Sequence, residues 1–410
     1  MIKLKNSYRI IHTADWHLGK PLHDLSRVQE HEKFLDWLLD KVKELEADAL
    51  LIAGDVFDIG LPAQKVLRQW YDFVKKLKQV EGCRLVVIGG NHDSPLQLES
   101  ATPVLELLDV RVDGRVKEDP VDRILLLPDS ENPQVAVAMI PYLRDADLRV
   151  GTFGEDSKEI RRKVGEGIGQ KYEESARVLD QYSCPAVATG HLTVSGMKNS
   201  DSEQAIIGGI EGVSHKLFPE RFGYVALGHL HRPQSPDGHR VRYSGSPIPL
   251  SFSEAEDKKE VRVLDVTPDG IENSSLPVPP SRNLVQLVVA YDDMERSIRE
   301  FSPESYDLRT WVEIKVQNPT FTENLNEEVR AIAKGEYDVI KVVPDRGEEA
   351  EKEIRNRDEA DYEFILNDPS KVFECLLNDR GVQEGKEQER LTELFESLVR
   401  IEREEGSLEE

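Results

Sequence analysis

The chain has 410 residues, of which 39% are hydrophobic and 32% charged, and its net charge at pH 7 is −25. One hydrophobic core stops growing at roughly 250–300 residues, so we expect two or three domains. The negative charge argues against nucleic-acid binding through a broad basic face, because Lys and Arg contacts to phosphate dominate such binding. The N-terminus lacks a signal-peptide core, and no apolar run approaches the roughly 18 residues of a membrane helix, which predicts a cytoplasmic protein.

Short apolar, β-branched runs predict a series of buried strands along the first two-thirds of the chain. They are residues 9–14, 49–53, 84–88, 135–140, 186–189 and 224–227. Two amphipathic stretches, from Phe34 to Leu45 and from Val66 to Leu77, predict helices between the first three strands. Because strand and helix alternate, the expected fold class of this part is a layered α/β domain.

A smaller unit follows this domain. The prolines within 277–280 come after the strand-like segment 261–266 and indicate a linker. The segments beyond them are strand-like at 284–290, 311–316 and 339–343 and helical at 326–334. We therefore expect the first domain at 1–280 and a small α+β domain at 281–345.

Residues 346–410 form a third, charge-rich segment. Residues 345–410 carry roughly half of the net negative charge, yet two apolar helical stripes occur at 372–377 and 391–399. Asp368 and Pro369 supply an N-cap and a first-turn proline for the first helix. These helices either pack on their own domain or form a hairpin that binds a partner protein.

Five short polar motifs directly follow five of the predicted strands. They are Asp15-Trp16-His17, Gly54-Asp55, Gly90-Asn91-His92-Asp93, Gly190-His191 and Gly228-His229-Leu230-His231. In an open α/β sheet, groups at the carboxyl ends of strands converge on one crevice. The sequence therefore predicts that these motifs meet in space.

The chemistry of the motifs indicates a metal site. Carboxylate, imidazole and amide oxygen without thiolate suit Mn²⁺, Fe²⁺, Zn²⁺ or Mg²⁺. Asp15 and His17 flank one residue, as do His229 and His231, so each pair can reach one ion from an extended strand end. Asp55 is the obvious bridging carboxylate. A single motif of this kind is weak evidence, since a lone His is usually structural, but the combination predicts two ions.

The order DxH, GD, GNHD, GH and GHxH resembles the pattern of calcineurin-like metallophosphoesterases, and within that superfamily the chain resembles the SbcD family of bacterial nuclease subunits. The segments that carry this resemblance are HTADWHLG from His12, EHEKFLDWL from Glu30, AGDVFD from Ala53, GGNHDS from Gly89, PYLRD from Pro141, LGHLHR from Leu227 and YSGSPIPLSF from Tyr243. They lie within the first 280 residues. The resemblance implies a β-sandwich flanked by helices, with a small α+β capping domain and a C-terminal helical segment.

The resemblance also implies roles for the motif residues and two divalent metal ions, of which Mn²⁺ is the first choice. One ion would be held by Asp15, His17, Asp55 and His231, and the other by Asn91, His191, His229 and the shared Asp55. His92 corresponds to the catalytic histidine, with Asp93 behind it as the orienting carboxylate. The alternative role for Asp93 is helix capping.

The implied function is that of a DNA exonuclease and endonuclease that processes double-strand ends and hairpins with an SbcC-type ATPase. No GxxxxGK[ST] loop occurs in the chain, so ATP dependence would come from that partner. A homodimer is expected from the apolar content of 61–77 and 96–108 and from the habit of related nucleases. Two alternatives stay open, a stand-alone phosphodiesterase for nucleotides or other small esters and a binding scaffold whose site has decayed.

Two further features allow more than one interpretation. Trp16 lies between two candidate ligands and either stacks on a base or fills the wall of the crevice. The segment Ser244 to Pro247 is either a simple turn or, as the resemblance implies, a loop close to the site.

Overall fold

A computed structural model of the chain describes residues 3–4, 6–148, 157–203, 212–319, 324–333, 335, 337–345, 373, 390–392 and 395. These residues belong to two compact units. The first contains Met1–Leu287, Arg299–Ile314 and Ala333–Lys341, and the second contains Val288–Ile298, Lys315–Ile332 and Val342–Glu410. Most of the predicted helical segment 346–410 lies outside the described residues, and the domain boundaries at 280 and 345 stay predictions.

The described residues form strands and helices in the following chain order. The strands are β1 (Tyr8–Thr13), β2 (Ala49–Ala53), β3 (Arg84–Ile88), β4 (Val110–Asp113), β5 (Ile124–Leu127), β6 (Val135–Ala138), β7 (Ala186–His191), β8 (Tyr224–Gly228), β9 (Val241–Tyr243), β10 (Glu260–Thr267), β11 (Gly270–Pro277), β12 (Arg282–Ala290), β13 (Leu308–Gln317) and β14 (Tyr337–Asp345). The helices are α1 (Val28–Glu44), α2 (Gln64–Lys78), α3 (Pro95–Glu99), α4 (Thr102–Glu106), α5 (Asp145–Leu148), α6 (Ser157–Leu179), α7 (Met294–Glu300) and α8 (Leu325–Ile332).

Two sheets form the body of the first unit. One has six strands in the order β11-β10-β1-β2-β3-β4, and the other has five in the order β5-β6-β7-β8-β9. Strands β1 to β4 run parallel to one another, as do β6 to β9. Strand β10 pairs antiparallel with β1, and β5 pairs antiparallel with β6. The carboxyl ends of β1, β2 and β3 therefore share one edge of the first sheet, and those of β7 and β8 share one edge of the second.

The two sheets pack face to face through a buried apolar layer. Ile10, Leu51 and Val86 from the first sheet belong to the same cluster as Val187 and Ala226 from the second. Such strands are buried on both faces, which is why they occur in the sequence as continuous apolar runs rather than as alternating patterns.

Helices cover the outer faces of both sheets. The apolar stripe of α1, including Phe34 and Leu38, and that of α2, including Trp70, are buried against the first sheet. Tyr172 and Leu179 of α6 are buried against the second. The resulting layers, helix, sheet, sheet and helix, confirm the predicted α/β sandwich flanked by helices.

A third sheet contains β12, β13 and β14 in that order. It begins two residues after the proline cluster, and helices α7 and α8 lie between its strands in the chain. This small α+β element matches the strand and helix segments predicted for the region. Across the described residues, no helix is both long and apolar enough to cross a membrane.

Candidate metal centre

The seven candidate ligands come from both sheets of the sandwich. Asp15 and His17 follow β1, Asp55 follows β2, and Asn91 follows β3. From the second sheet, His191 is the last residue of β7, and His229 and His231 follow β8. Six of the seven side chains are buried, and Asn91 is partly buried. The structure brings all seven together, as the sequence predicts.

The backbone is strained where the ligands leave their strands. Asp15, His17, Asp55 and His229 have φ values of 54°, 43°, 50° and 97°, which non-glycine residues rarely adopt. Each such residue costs on the order of 1–3 kcal/mol and persists only where its surroundings hold it. Here the backbone amides of Asp15 and His17 donate to the carbonyls of Gly54 and Asp55, each at 3.0 Å. These hydrogen bonds hold the segment after β1 and the segment after β2 in place against each other.

Two of the glycines before ligands are required by close approach. A Cβ atom on Gly54, whose φ is +92°, would collide with the ring of His191. A Cβ atom on Gly90 would collide with the carboxylate of Asp55. These two glycines thus let the backbone after β2 and β3 come close to candidate ligands from other strands.

Asp15, His17 and His231 form the first group of ligand atoms, all within 4.8 Å of one another. Asp15 Oδ2 and His17 Nε2 are buried and have no hydrogen-bond partner. Burial raises the pKa of Asp15 well above its usual value and lowers the pKa of His17. An unpaired buried carboxylate oxygen beside an unpaired imidazole nitrogen is costly without a cation between them, which fits a metal-binding role.

Asp55 lies at the centre of the cluster. Its Oδ2 is 3.1 Å from His191 Nε2 and 3.5 Å from His17 Nε2, while its Oδ1 accepts a hydrogen bond of 2.9 Å from the His92 amide. Burial alone would raise the pKa of Asp55, but the adjacent His191, with His17 and His92, brings that pKa below its usual value. One carboxylate therefore contacts histidines from both predicted ion sites, as a bridging ligand must.

Asn91 connects two histidines of the second sheet. Its Oδ1 lies 2.9 Å from His191 Nε2 and 2.9 Å from His229 Nδ1. Burial lowers the pKa of His229 to about 3, so this imidazole is neutral and can bind a cation. Burial also lowers the pKa of His191, but the Asp55 carboxylate outweighs that effect and raises it to about 9.

Each of three ligand histidines is oriented by an oxygen on its outer nitrogen. His191 Nδ1 lies 2.9 Å from the carbonyl oxygen of Ala53, and His17 Nδ1 lies 3.1 Å from Asp58 Oδ1. His231 Nδ1 lies 3.3 Å from Glu254 Oε1. Such outer contacts fix the tautomer and leave the other ring nitrogen for a metal.

Asp58 and Glu254 are the functional residues that sequence reasoning did not assign. Asp58 ends the AGDVFD segment, and its pKa is about 2: burial raises it, but the hydrogen bond from His17 and the nearby Lys20 outweigh that effect. Glu254 follows the YSGSPIPLSF segment by two residues. The only signal for either was its place in or beside a segment shared with the family.

Glu254 and Lys259 form a buried ion pair behind His231. Lys259 Nζ lies 2.6 Å from Glu254 Oε2 and also donates to the His231 carbonyl oxygen at 2.9 Å. Ser246 Oγ donates to Glu254 Oε2 at 3.2 Å. This places the Ser244 to Pro247 segment against the ligand loop, so the segment is part of the site's support and not a simple turn.

His92, like Asn91, is only partly buried, whereas the other six candidate ligands are buried. Its Nδ1 lies 2.8 Å from the carbonyl oxygen of Asp58. A carbonyl can only accept, so Nδ1 carries a hydrogen and Nε2 is left free of this contact. The ring centroid is 4.7 Å from that of His17, which places His92 next to the candidate ligands.

Asp93, which the resemblance predicts to orient His92, makes its hydrogen bonds to backbone amides. Its carboxylate accepts hydrogen bonds from the amides of Gly90, Val56 and Phe57, at 2.9, 3.2 and 3.0 Å, and contacts no ring nitrogen of His92. Nor does it cap a helix, because Ser94 is the N-cap of α3. Asp93 instead ties the loop after β3 to the loop after β2, and the Asp58 carbonyl orients His92.

Trp16 is part of the core. It is fully buried, its Nε1 donates to Thr13 Oγ1 at 3.0 Å, and its ring packs edge-on against Phe34 and Phe73. Of the two interpretations of Trp16, filling the wall is correct and stacking on a base is wrong.

The ligand set is chemically suited to divalent cations. Seven candidate ligands with oxygen or nitrogen atoms meet in one place, without thiolate, and two of them are buried carboxylates that supply negative charge. Two divalent ions held by these residues would supply a Lewis acid, activation of water and a clamp on the reacting oxygens of a phosphate ester.

Comparisons with known proteins agree with this geometry. A family described as calcineurin-like phosphoesterase matches residues 8–233. The SbcD subunit of the SbcCD nuclease from Escherichia coli strain K12 is 30% identical over 399 residues, covering 95% of this chain and 98% of the relative. The SbcD subunits from Rhodobacter capsulatus and Bacillus subtilis are each 37% identical, over 68% and 63% of this chain and 71% and 66% of their own lengths.

The fold and the site together define a metal-dependent phosphoesterase of the calcineurin-like class. The match to the Escherichia coli relative extends over nearly the whole length of both proteins. The chain belongs to the SbcD family within that class.

Proposed function

We propose that the chain is the nuclease subunit of a DNA-end-processing complex, a two-metal-dependent exonuclease and endonuclease for double-strand ends and hairpins in DNA repair and recombination. The observation that carries this proposal is the convergence of seven ligand-type side chains from two sheets beside the partly exposed His92. The similar proteins are nucleases, which favours a nucleic-acid substrate. The chain would act in the bacterial cytoplasm, at the nucleoid.

In this proposal Asp15, His17, Asp55 and His231 hold one ion, and Asn91, His191, His229 and Asp55 hold the other. The unpaired Asp15 Oδ2 and His17 Nε2 support the first set, and the two contacts of Asn91 Oδ1 support the second. Mn²⁺ is the ion we propose, because imidazole, carboxylate and amide ligands together suit an ion between Mg²⁺ and Zn²⁺ in softness.

His92 would act on the phosphate directly. With Nδ1–H held by the Asp58 carbonyl, protonated Nε2 donates a hydrogen bond to the phosphoryl or leaving oxygen. Asp93 keeps the loops after β2 and β3 together, so that His92 stays at a fixed distance from Asp55.

An SbcC-type ATPase is the proposed partner. The C-terminal helices would provide its docking site, and the described fragment of this segment shows the rings of Phe373 and Phe395 stacked, with centroids 4.2 Å apart. That contact supports a helical hairpin. Truncation before Asp368 should abolish binding of the partner while short DNA is still cleaved, and retained binding with lowered thermal stability would contradict this role.

Self-association is also part of the proposal. Ile59, Leu61, Leu96, Val104 and Leu107 are all more than half exposed, and they lie in or beside the segments predicted to form a dimer. Large apolar side chains so exposed, and so close in the chain, are typical of a contact surface.

The decisive experiment is digestion of end-labelled duplex and hairpin DNA in Mn²⁺, with and without the ATPase partner. We expect manganese-dependent cleavage by the chain alone and ATP-dependent processing of blocked ends with the partner. Hydrolysis of small diesters without cleavage of any DNA would instead favour the stand-alone phosphodiesterase.

A further inference from the structure

Arg144 lies beside the candidate metal centre, in the PYLRD segment after β6. The amide of Tyr142 donates to the Gly89 carbonyl at 2.9 Å, which holds this segment against the loop after β3. The Arg144 amide donates to Asp147 Oδ2 at 2.8 Å, and Nη2 donates to the carbonyl oxygen of Asp93 at 3.3 Å. Arg144 is therefore positioned by the backbone next to His92.

The guanidinium of Arg144 has no anionic partner among the described side chains. It is partly buried, its Nη1 is buried without a hydrogen-bond partner, and its Cζ lies 5.7 Å from the ring centroid of Tyr142. The buried arginines Arg9, Arg27 and Arg123 each pair with a carboxylate within 3 Å. An unpaired buried cation is costly, so Arg144 is chemically poised to accept an anion.

The surroundings of Arg144 place that anion outside the ligand cluster. The guanidinium contacts the Tyr142 ring and the Asp93 carbonyl, and it makes no hydrogen bond or ion pair with any of the seven candidate ligands. The Tyr142 ring in turn packs edge-on against His191, at a centroid distance of 6.3 Å. Arg144 thus lies one side chain away from the ligands that would surround the scissile phosphate.

We propose that Arg144 binds the phosphate next to the scissile one, so that the site recognises a polynucleotide and not an isolated diester. This inference rests on the proposed nuclease function. A chain with a net charge of −25 needs local cations where a polyanion meets its surface, and a planar guanidinium suits phosphate better than an ammonium does. A substrate with one phosphate would leave Arg144 without a role.

The test compares Arg144→Ala and Arg144→Lys with Arg84→Ala as a matched control. Arg84 is also partly buried, has an unpartnered Nε and lies at the amino end of β3, the end of the strand opposite the site. Three substrates are used in Mn²⁺. They are an all-phosphate DNA strand, the same strand with one neutral methylphosphonate placed in turn on each side of the scissile bond, and bis-p-nitrophenyl phosphate.

We expect Arg144→Ala to lower kcat/KM on all-phosphate DNA by about 10- to 100-fold, the usual effect of losing a charged hydrogen bond. The kcat/KM of Arg144→Lys should lie between those of the wild type and Arg144→Ala, and that of Arg84→Ala should match the wild type. In Arg144→Ala, the slope of the logarithm of the DNA-binding constant against the logarithm of salt concentration should decrease by about the amount that corresponds to one phosphate contact. Activity on bis-p-nitrophenyl phosphate should be unchanged, which also shows that the variant folds.

Methylphosphonate on one side of the scissile bond should reduce the wild-type rate to that of Arg144→Ala and leave the variant unaffected. An equal loss on bis-p-nitrophenyl phosphate and DNA would overturn the inference, because Arg144 would then act on the scissile phosphate or on folding. Full activity of Arg144→Ala on DNA would also overturn it, while the nuclease function stood. A wild type that cleaves only bis-p-nitrophenyl phosphate would refute the nuclease function and this inference with it.

Discussion

Replacing Lys259 by Met should destabilise the protein far more than the same replacement of an exposed lysine that forms an ion pair of similar N···O distance. Lys259 Nζ lies 2.6 Å from Glu254 Oε2, and their side chains are 4% and 0% exposed. Lys259 also donates to Ser246 Oγ at 3.0 Å and to the carbonyl oxygen of His231. Without Lys259 the Glu254 carboxylate stays buried with no cation beside it.

The expected cost follows from burial. Removing one partner of a buried pair costs about 3–5 kcal/mol, because the other charge is left uncompensated. The matched control is Lys33→Met, since Lys33 lies 2.7 Å from Asp307 but the two side chains are 42% and 70% exposed. A pair so exposed contributes about 1 kcal/mol or less.

Denaturant unfolding in the presence of a chelator measures both variants without the contribution of bound metal. The double variant Glu254→Gln with Lys259→Met should recover part of the lost stability, because the uncompensated charge is gone. Equal small losses for Lys259→Met and Lys33→Met, or no recovery in the double variant, would refute the account of Glu254 as a buried charge balanced by Lys259.

Three further outcomes are expected. Asp55→Ala should abolish nuclease activity and lose bound Mn²⁺ in calorimetry, whereas His92→Ala should abolish activity with Mn²⁺ binding intact; wild-type metal binding by Asp55→Ala would contradict the bridging role. Leu61→Glu combined with Leu107→Glu should convert a dimer to a monomer in sedimentation, since these side chains are 81% and 79% exposed, and an unchanged dimer would exclude them from the interface. Burial raises the pKa of Cys83 to about 12, so at about pH 8 iodoacetamide should modify Cys83 only after unfolding, as peptide mass spectrometry will show.

The parallel strands were predictable because burial on both faces leaves a distinct pattern. Ala49–Ala53 and Arg84–Ile88 have the bounds that their apolar runs predict. Strand β11, Gly270–Pro277, is an edge strand with mostly partly exposed residues and no apolar run, so its sequence gave no such signal. Helix α6 contains Gly165, Gly167 and Gly169, which weaken a helical pattern that tertiary packing restores.

The candidate ligands were predictable because each lies at or just after the carboxyl end of a strand, and parallel strands end at a common edge. Their supporting residues were not, since nothing in the spacing of Glu254 and His231 shows that the two side chains meet. The contacts of Asp93 were not predictable for a related reason. Adjacency to His92 suggested a contact between the side chains, but the turn points the Asp93 carboxylate at the amides of another loop.

The order in which the chain builds its two sheets has a consequence for when metal can enter. Strands β1 to β4 of the first sheet come first in the chain, and strands β5 to β9 of the second sheet follow. The chain then returns to the first sheet, where Glu260–Thr267 pairs with Tyr8–Thr13. Each proposed ion takes ligands from both sheets, so neither half of the sandwich offers a complete set of ligands during synthesis. Metal binding should therefore occur late, after the two sheets have come together. The strand Glu260–Thr267, which completes the first sheet, lies after all seven candidate ligands in the chain.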